Sequence, residues 1–110
     1  MPREHTVAGH RGEDIASWFL RSRGCVIVSR NVRVWPDEID LIIADGPTMV
    51  AVEVKYSTGA VDPLESVDDA KLHRFARAVG GSARPIARMD LVGISRRSDG
   101  VVVRWLRGVY

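Results

Sequence analysis

Two short stretches of the chain have the apolar character of β-strands, yet each carries charged residues inside its apolar run. They are residues 38–43 (Glu-Ile-Asp-Leu-Ile-Ile) and residues 50–55 (Val-Ala-Val-Glu-Val-Lys). Alternate residues of an extended strand share a face, so Glu53 and Lys55 point to the same side. A carboxylate or an ammonium group beside a core is costly unless it is paired or binds a metal ion. The pattern therefore predicts neighbouring strands that meet at a charged site.

Apolar periodicity and turn residues predict the elements on either side of these strands. We expect a helix over 10–23, a strand at 25–28 that continues or turns into 31–35, strands at 38–44 and 48–55, a loop over 56–65, a helix from a cap at 66–69 to about 79, and strands at 86–94 and 101–106. The order α-β-β-β-α-β-β predicts an α/β fold with a mixed sheet flanked by helices. The length favours one domain over residues 1–110.

Composition narrows the class of protein. No apolar run approaches the roughly 20 residues that a membrane span needs, so no membrane partner is expected. The first residues lack the apolar segment of a secretory signal. Cys25 is the only cysteine, which excludes an internal disulfide and fits the reducing cytoplasm. We therefore expect a cytoplasmic protein.

Charge divides unevenly along the chain although the net formal charge is only +2. Residues 71–110 contain nine basic and two acidic residues, whereas residues 1–70 contain seven basic and twelve acidic residues. Such asymmetry indicates attraction to a polyanion, and DNA is the expected partner. A bias of composition towards arginine is the competing explanation. Lys71, Arg74 and Arg77 on the second helix are the predicted nucleic-acid contacts, although the spacing of Lys71 and Arg74, one helical turn apart, fits a solvated helix face equally well.

Aligning the charged faces of the two central strands would bring Asp40 close to Glu53. On the first strand Glu38, Asp40 and Ile42 are predicted to share one face, and Ile39, Leu41 and Ile43 the other. Two unpartnered carboxylates this close repel each other, and a divalent cation removes the conflict. Mg²⁺ accepts one or two carboxylates together with water and phosphate oxygens. Lys55 would then hold or deprotonate the attacking water, or neutralise phosphate charge, and Glu13 on the first helix would add an outer carboxylate.

A structural explanation competes with this one. Glu53 and Lys55 would form a salt bridge on a solvated sheet face, with Asp40 an ordinary edge residue. For the remaining residues the structural explanation is preferred: Arg88 and Asp90 are predicted to form an internal ion pair, and Cys25 is predicted to lie in the core. The three tryptophans, Trp18, Trp35 and Trp105, are predicted to pack in the core or in a hairpin and not to serve as stacking platforms.

The chain resembles the YraN-type family of bacterial proteins over nearly its whole length. The resemblance rests, in order, on residues 9–16 (Gly-His-Arg-Gly-Glu-Asp-Ile-Ala), Leu20, Gly24, residues 30–33 (Arg-Asn-Val-Arg), residues 38–42, residues 52–55, Lys71 and residues 88–90 (Arg-Met-Asp). That family is similar to the restriction-endonuclease-like superfamily (PD-(D/E)XK), which includes archaeal Holliday-junction resolvases. The resemblance implies an αβββαβ core and a catalytic set of Glu13, Asp40, Glu53 and Lys55, with Asp40 and Glu53 as metal ligands.

This sequence departs from the family pattern beside the site. Asp37 stands where the family usually has Gly, and Tyr56-Ser57 stands where Thr-Arg is common. Pro36-Asp37 also mimics the superfamily's Pro-Asp signature, but Asp37 is predicted to lie in the break before the strand, so Asp40 is preferred as the ligand.

Three functions follow as hypotheses. The first is a Mg²⁺- or Mn²⁺-dependent endonuclease acting on DNA, including branched or damaged DNA. The second is a nucleic-acid-binding module of the same fold that does not cut, and the third is an interaction protein without a nucleic-acid partner. A homodimer is compatible with the first, because small nucleases of this shape often use two copies to reach both strands.

Overall fold

The computed structural model describes the backbone of residues 3–59 and 61–109, and the side chains of residues 11–59 and 61–109. The start of the chain, where no secretory signal was expected, lies partly outside these residues. The elements are α1 (Arg3–Ser22), β1 (Val26–Val34), β2 (Asp37–Asp45), β3 (Thr48–Thr58), a short 3₁₀ helix (Pro63–Ser66), α2 (Asp69–Gly80), β4 (Arg88–Arg97) and β5 (Gly100–Leu106). The predicted α/β order and mixed sheet are confirmed.

The five strands form one sheet in the order β1-β2-β3-β4-β5. All neighbouring pairs are antiparallel except β3 and β4, which are parallel. Parallel neighbours need a long crossover connection, and here it contains the 3₁₀ helix and α2. This crossover brings α2 back across the sheet, and its contacts are mainly with β2.

Apolar side chains pack on both faces of the sheet, as expected for a sheet covered on two sides. On one face α1 contributes Ala16 and Leu20 to a cluster with Leu41, Ile43, Val50 and Val52. On the other face α2 contributes Phe75 and Ala78 to a cluster with Ile39, Ile42, Ala51 and Leu91. These are called the α1 cluster and the α2 cluster below. None of the described helices is long and apolar enough to cross a membrane.

Several element boundaries differ from the sequence prediction. α1 begins at Arg3 and not near residue 10. The prediction missed residues 3–9 because they lack the apolar stripe on which it depended. β3 continues to Thr58, through part of the predicted loop, because its last residues pair with β4. The N-cap of α2 is Asp68, whose side chain accepts a hydrogen bond from the Lys71 amide, and the predicted cap at Ser66 is wrong.

β1 is a single strand with two irregularities, where the sequence left open a continuation or a hairpin. Its register against β2 shifts between Ile27 and Ser29. Asn31 has a φ of 54°, a left-handed conformation that asparagine tolerates better than most residues. The apolar residues at 26–28 and 32–34 therefore belong to one strand whose middle is distorted.

The predicted packing of the tryptophans is wrong for two of the three. Trp18 on α1 is 63% exposed, and Trp35, at the turn between β1 and β2, is 80% exposed. Trp105 does pack: its ring meets Phe19 edge-on, with centroids 6.2 Å apart. Cys25 is buried as predicted, immediately before β1.

Candidate functional site

The candidate site lies where β2 and β3 stop pairing. Their ladder ends with Leu41 opposite Val52, and the same register continued by one residue sets Asp40 opposite Glu53. On its other side, β2 pairs with β1 through Arg30–Leu41 and then Val32–Ile39, with Asn31 and Asp40 between these pairs. Three polar residues on three neighbouring strands therefore meet at one level of the sheet.

The alternation of β2 changes at this level. Leu41 and Ile43 belong to the α1 cluster and Ile42 to the α2 cluster, as the predicted period of two requires. Ile39 belongs to the α2 cluster as well, so the prediction that it shares a face with Leu41 is wrong. The change falls at the level of Asn31 on the neighbouring strand, where the backbone of β1 is also irregular.

The carboxylate of Asp40 has an unusual environment. Its Oδ2 accepts a hydrogen bond of 2.8 Å from the backbone amide of Val54, on the part of β3 that no longer pairs with β2. Burial raises the pKa of Asp40 to about 7, and the charge of Glu53 and a hydrogen bond to Glu53 add to this shift. The Val54 amide and the positive charge of Lys55 oppose it. Asp40 and Glu53 therefore form the close carboxylate pair that the sequence predicted.

Lys55 lies beside this pair. Its Nζ is 3.3 Å from Oε2 of Glu53, and both side chains are half-buried. The salt bridge of the structural explanation is thus present. However, Asp40 is not an edge residue, because β2 lies between β1 and β3.

Glu13 approaches the same place from α1. It is 8% exposed, and its Oε1 is buried without a hydrogen-bond partner among the described residues. The nearest cation is Nη2 of Arg30, 3.7 Å away. Burial raises the pKa of Glu13, the charge of Asp40 raises it further, and a side-chain hydrogen bond with Asn31 opposes the shift. The structure therefore brings all four predicted catalytic residues into one neighbourhood.

A cleft of about 140 Å³ opens beside these residues. Its walls are formed by Asp37, Glu38, Glu53, Lys55, Lys71, Arg74 and Phe75. Lys71 and Arg74 extend from α2, and Nζ of Lys71 donates a hydrogen bond of 3.0 Å to the carbonyl of Ser66. Two of the three predicted nucleic-acid contacts thus line one cleft with Glu53 and Lys55, and Asp40 and Glu13 are not among its lining residues.

Arg77, the third predicted contact, is paired instead. Its Nε and Nη2 each lie 2.9 Å from Oδ2 of Asp37. Asp37 lies at the start of β2 and not in the break before it, which corrects the prediction. The ion pair occupies the carboxylate of Asp37, whereas Asp40 is the aspartate that lies opposite Glu53.

Comparison with known proteins identifies the family. The profile of the Uncharacterised protein family UPF0102 matches residues 12–94. The chain is 37% identical to a UPF0102 protein of Arthrobacter sp. (strain FB24) over 97% of this chain and 98% of the relative. It is 41% identical to a UPF0102 protein of Symbiobacterium thermophilum over 84% and 85% of the two chains. The chain belongs to the UPF0102 family. The YraN-type family is the same family, so the resemblance seen in the sequence is confirmed.

Two residues of this UPF0102 chain belong to the site although sequence analysis gave them no role. Nη2 of Arg30 lies 2.7 Å from Oδ1 of Asp14 and also approaches Glu13. Asn31 combines its left-handed backbone with a hydrogen bond to Glu13. The sequence signal that could have indicated their role is the polar pair Arg30-Asn31, which lies between two apolar runs of one strand.

The predicted ion pair of Arg88 and Asp90 is confirmed as a structural feature of the UPF0102 fold. Asp90 is fully buried and accepts hydrogen bonds from the side chains of Arg88 and Trp105 and from the backbone amide of Gly108. Arg88 also reaches Asp45 at 2.8 Å. These contacts fasten β4, β2 and the segment after β5 together, away from the cleft.

The donor chemistry of the site fits a hard divalent cation. Within the described side chains, no three histidine, cysteine, aspartate or glutamate residues form a ready-made metal-binding group. Mg²⁺ needs fewer protein ligands, because it retains water and accepts substrate oxygens. Asp40 and Glu53 are the two carboxylates that would hold it. Oε1 of Glu13, which has no hydrogen-bond partner among the described residues, would be available to accept a hydrogen bond from a water molecule.

Proposed function

We propose that this protein is a divalent-metal-dependent endonuclease that hydrolyses phosphodiester bonds in DNA. The observation that supports it most is the place of Asp40 opposite Glu53, with Lys55 within 3.3 Å of Glu53, where two central strands separate. Burying two carboxylates side by side raises the free energy of the folded protein, and binding a cation relieves it.

Each residue of the site has a distinct part in this proposal. Asp40 and Glu53 hold Mg²⁺ or Mn²⁺, which when bound would supply positive charge at the scissile phosphate and acidify a water molecule. Nζ of Lys55 donates a hydrogen bond to the attacking water or to a phosphate oxygen, since it lies on the same face as Glu53. Glu13 orients water from the side of α1.

The cleft is suited to a phosphate backbone because its two walls differ in charge. One wall carries Glu53 and Lys55, and the other carries Lys71 and Arg74 from α2. Lysine and arginine contacts with phosphate hold a nucleic acid without reading its sequence. We therefore expect cleavage that depends weakly on sequence and strongly on salt.

The test is a cleavage assay with Mg²⁺ or Mn²⁺ on linear, single-stranded and branched DNA. We expect Glu53→Gln and Lys55→Ala to reduce the rate by about 100-fold or more, because each removes a group that acts on the reacting phosphate or water. Asp99→Asn is the matched control, since Asp99 is an exposed carboxylate in the turn between β4 and β5. It should cleave at the wild-type rate.

Cleavage by Glu53→Gln at the wild-type rate would contradict the assignment. DNA binding without cleavage under every metal condition would instead favour the non-cutting nucleic-acid-binding module.

A further inference from the structure

Trp35 exposes a large aromatic surface beside the cleft. It lies between β1 and β2 and is 80% exposed, the largest exposure among the large apolar side chains described. Its exposed neighbours Arg33 and Glu38 are charged, and Pro36 is exposed as well. The indole is therefore an isolated aromatic group in a charged surface. A protein-docking face would have contained a contiguous apolar patch.

A chain of two contacts connects this indole to the cleft. The guanidinium of Arg33 lies over the Trp35 ring, 5.3 Å from its centroid, within the range of a cation–π interaction. The same guanidinium reaches Glu38, with Nη1 and Oε2 3.9 Å apart. Glu38 is one of the residues that line the cleft. Trp35 is thus connected through Arg33 to a residue that lines the cleft.

An exposed indole flanked by arginine is suited to nucleic acids that contain unpaired bases. Aromatic side chains bind single strands by stacking on bases, and nearby arginines hold the adjoining phosphates. In an intact duplex both faces of each base are covered by its neighbours, so an indole at the surface finds no free base. A flap, a gap, a junction or a single strand offers one.

We propose that Trp35 and Arg33 form a stacking platform for an unpaired base of the DNA that enters the cleft. This inference rests on the proposed function and specifies its substrate class: DNA with unpaired nucleotides next to the bond that is cut. The platform explains why a tryptophan remains exposed at the turn, where its indole adds no packing to either core cluster.

The test measures DNA binding in EDTA, so that neither metal nor cleavage affects the result. The probes are single-stranded oligothymidylate and a blunt duplex of the same length, at one fixed salt concentration. We expect Trp35→Ala to weaken binding of the single strand by roughly 5- to 100-fold and to leave duplex binding unchanged. Trp35→Phe should keep most of the affinity, because it retains an aromatic face.

Trp18→Ala is the matched control. Trp18 is a second exposed tryptophan, on α1, and its loss should alter neither affinity. Equal single-strand binding by wild type and Trp35→Ala would overturn the inference, and so would an equal loss of affinity on the duplex. If the wild-type protein binds neither probe, the proposed function fails together with the platform. If it binds the single strand through Trp35 but cuts no DNA, only the proposed function fails.

Discussion

Asp40 is a carboxylic acid whose protonation depends on the fold. Its carboxylate is buried beside Glu53, and together these effects raise its pKa from an ordinary value of 3.8 to about 7. In the unfolded chain Asp40 is ionised above about pH 4. Between pH 4 and 7 the folded protein therefore binds more protons at this residue than the unfolded chain does.

The free energy of unfolding therefore falls as pH rises from about 4 to 7. Over this range ionising Asp40 costs free energy in the folded protein but not in the unfolded chain. Asp40→Asn removes this penalty and retains an oxygen that can accept from the Val54 amide. Measured in EDTA, the variant should therefore be more stable than wild type by about 2–4 kcal/mol at pH 8, with the gain vanishing towards pH 4.

Urea denaturation at several pH values measures this difference. A constant difference between the two proteins across this range would show that Asp40 titrates normally. Such a gain in stability on removing a site residue is the usual sign of a site held at an energetic cost.

The proximity of the candidate site residues was predictable from the sequence because each charge stood out against its apolar run. Asp40, Glu53 and Lys55 interrupt strands, and Glu13 adjoins the apolar stripe of α1. The part of Asn31 was not predictable in this way. It depends on pairing between β1 and β2 and on a left-handed backbone, and neither leaves a periodic pattern.

At the scale of elements, β1 is distorted at the level of the sheet where β2 and β3 stop pairing. Asn31 holds a left-handed backbone at the level of Asp40, and its side chain bonds to Glu13 on α1. Asn31 thus contributes both to the backbone conformation of β1 and to the position of the Glu13 carboxylate. Two substitutions separate these contributions.

Asn31→Gly keeps the left-handed backbone accessible but removes the side chain, whereas Asn31→Ala disturbs both. We expect the glycine variant to unfold within about 1 kcal/mol of wild type and the alanine variant to be less stable than the glycine variant by about 1–2 kcal/mol. Both should lose cleavage activity, because both release Glu13, and the alanine variant should lose more, because it also disturbs the strand beside Asp40. Urea denaturation and cleavage rates provide the two measurements. Full activity in Asn31→Gly would remove Asn31 from the site.

Element types were predictable from the sequence, but several ends were not, because tertiary pairing sets them. Tyr56, Ser57 and Thr58 are weakly apolar and resemble a loop. In the structure they continue β3, because Ile94, Ser95 and Arg96 of β4 offer backbone partners in register. Strand propensity is governed by such neighbours more than by the residues themselves.

At the scale of the whole molecule, pairing between the two halves neutralises part of their charge asymmetry: three of the nine basic residues of the second half pair with acids of the first. Arg77 pairs with Asp37, Arg88 with Asp45 and Arg104 with Asp62, and each pair joins a base of the second half to an acid of the first. The uneven charge of the sequence is therefore a weaker argument for a polyanionic partner than it first appeared. The argument now depends on the cations that line the cleft.

Salt dependence distinguishes the cleft cations from the paired ones. We expect Arg74→Ala to lower the slope of log affinity for DNA against log salt by about 1, because one phosphate contact is lost. The double variant Asp37→Asn, Arg77→Gln removes the Arg77–Asp37 ion pair, of which Asp37 lines the cleft, and keeps the net charge, so its slope should change less than that of Arg74→Ala. Fluorescence anisotropy at several salt concentrations measures both. A similar fall in slope for both proteins would show that Arg77 also touches DNA.

The crossover between the parallel strands β3 and β4 has a consequence for how this architecture diverges. Glu53 and Lys55 lie on the strand that enters the crossover, and Lys71 and Arg74 lie on the helix inside it. The segment that joins them, which includes the 3₁₀ helix, sets the spacing between these two pairs of residues. Insertions or deletions there would change the distance between the cations and the carboxylates while every side chain is retained.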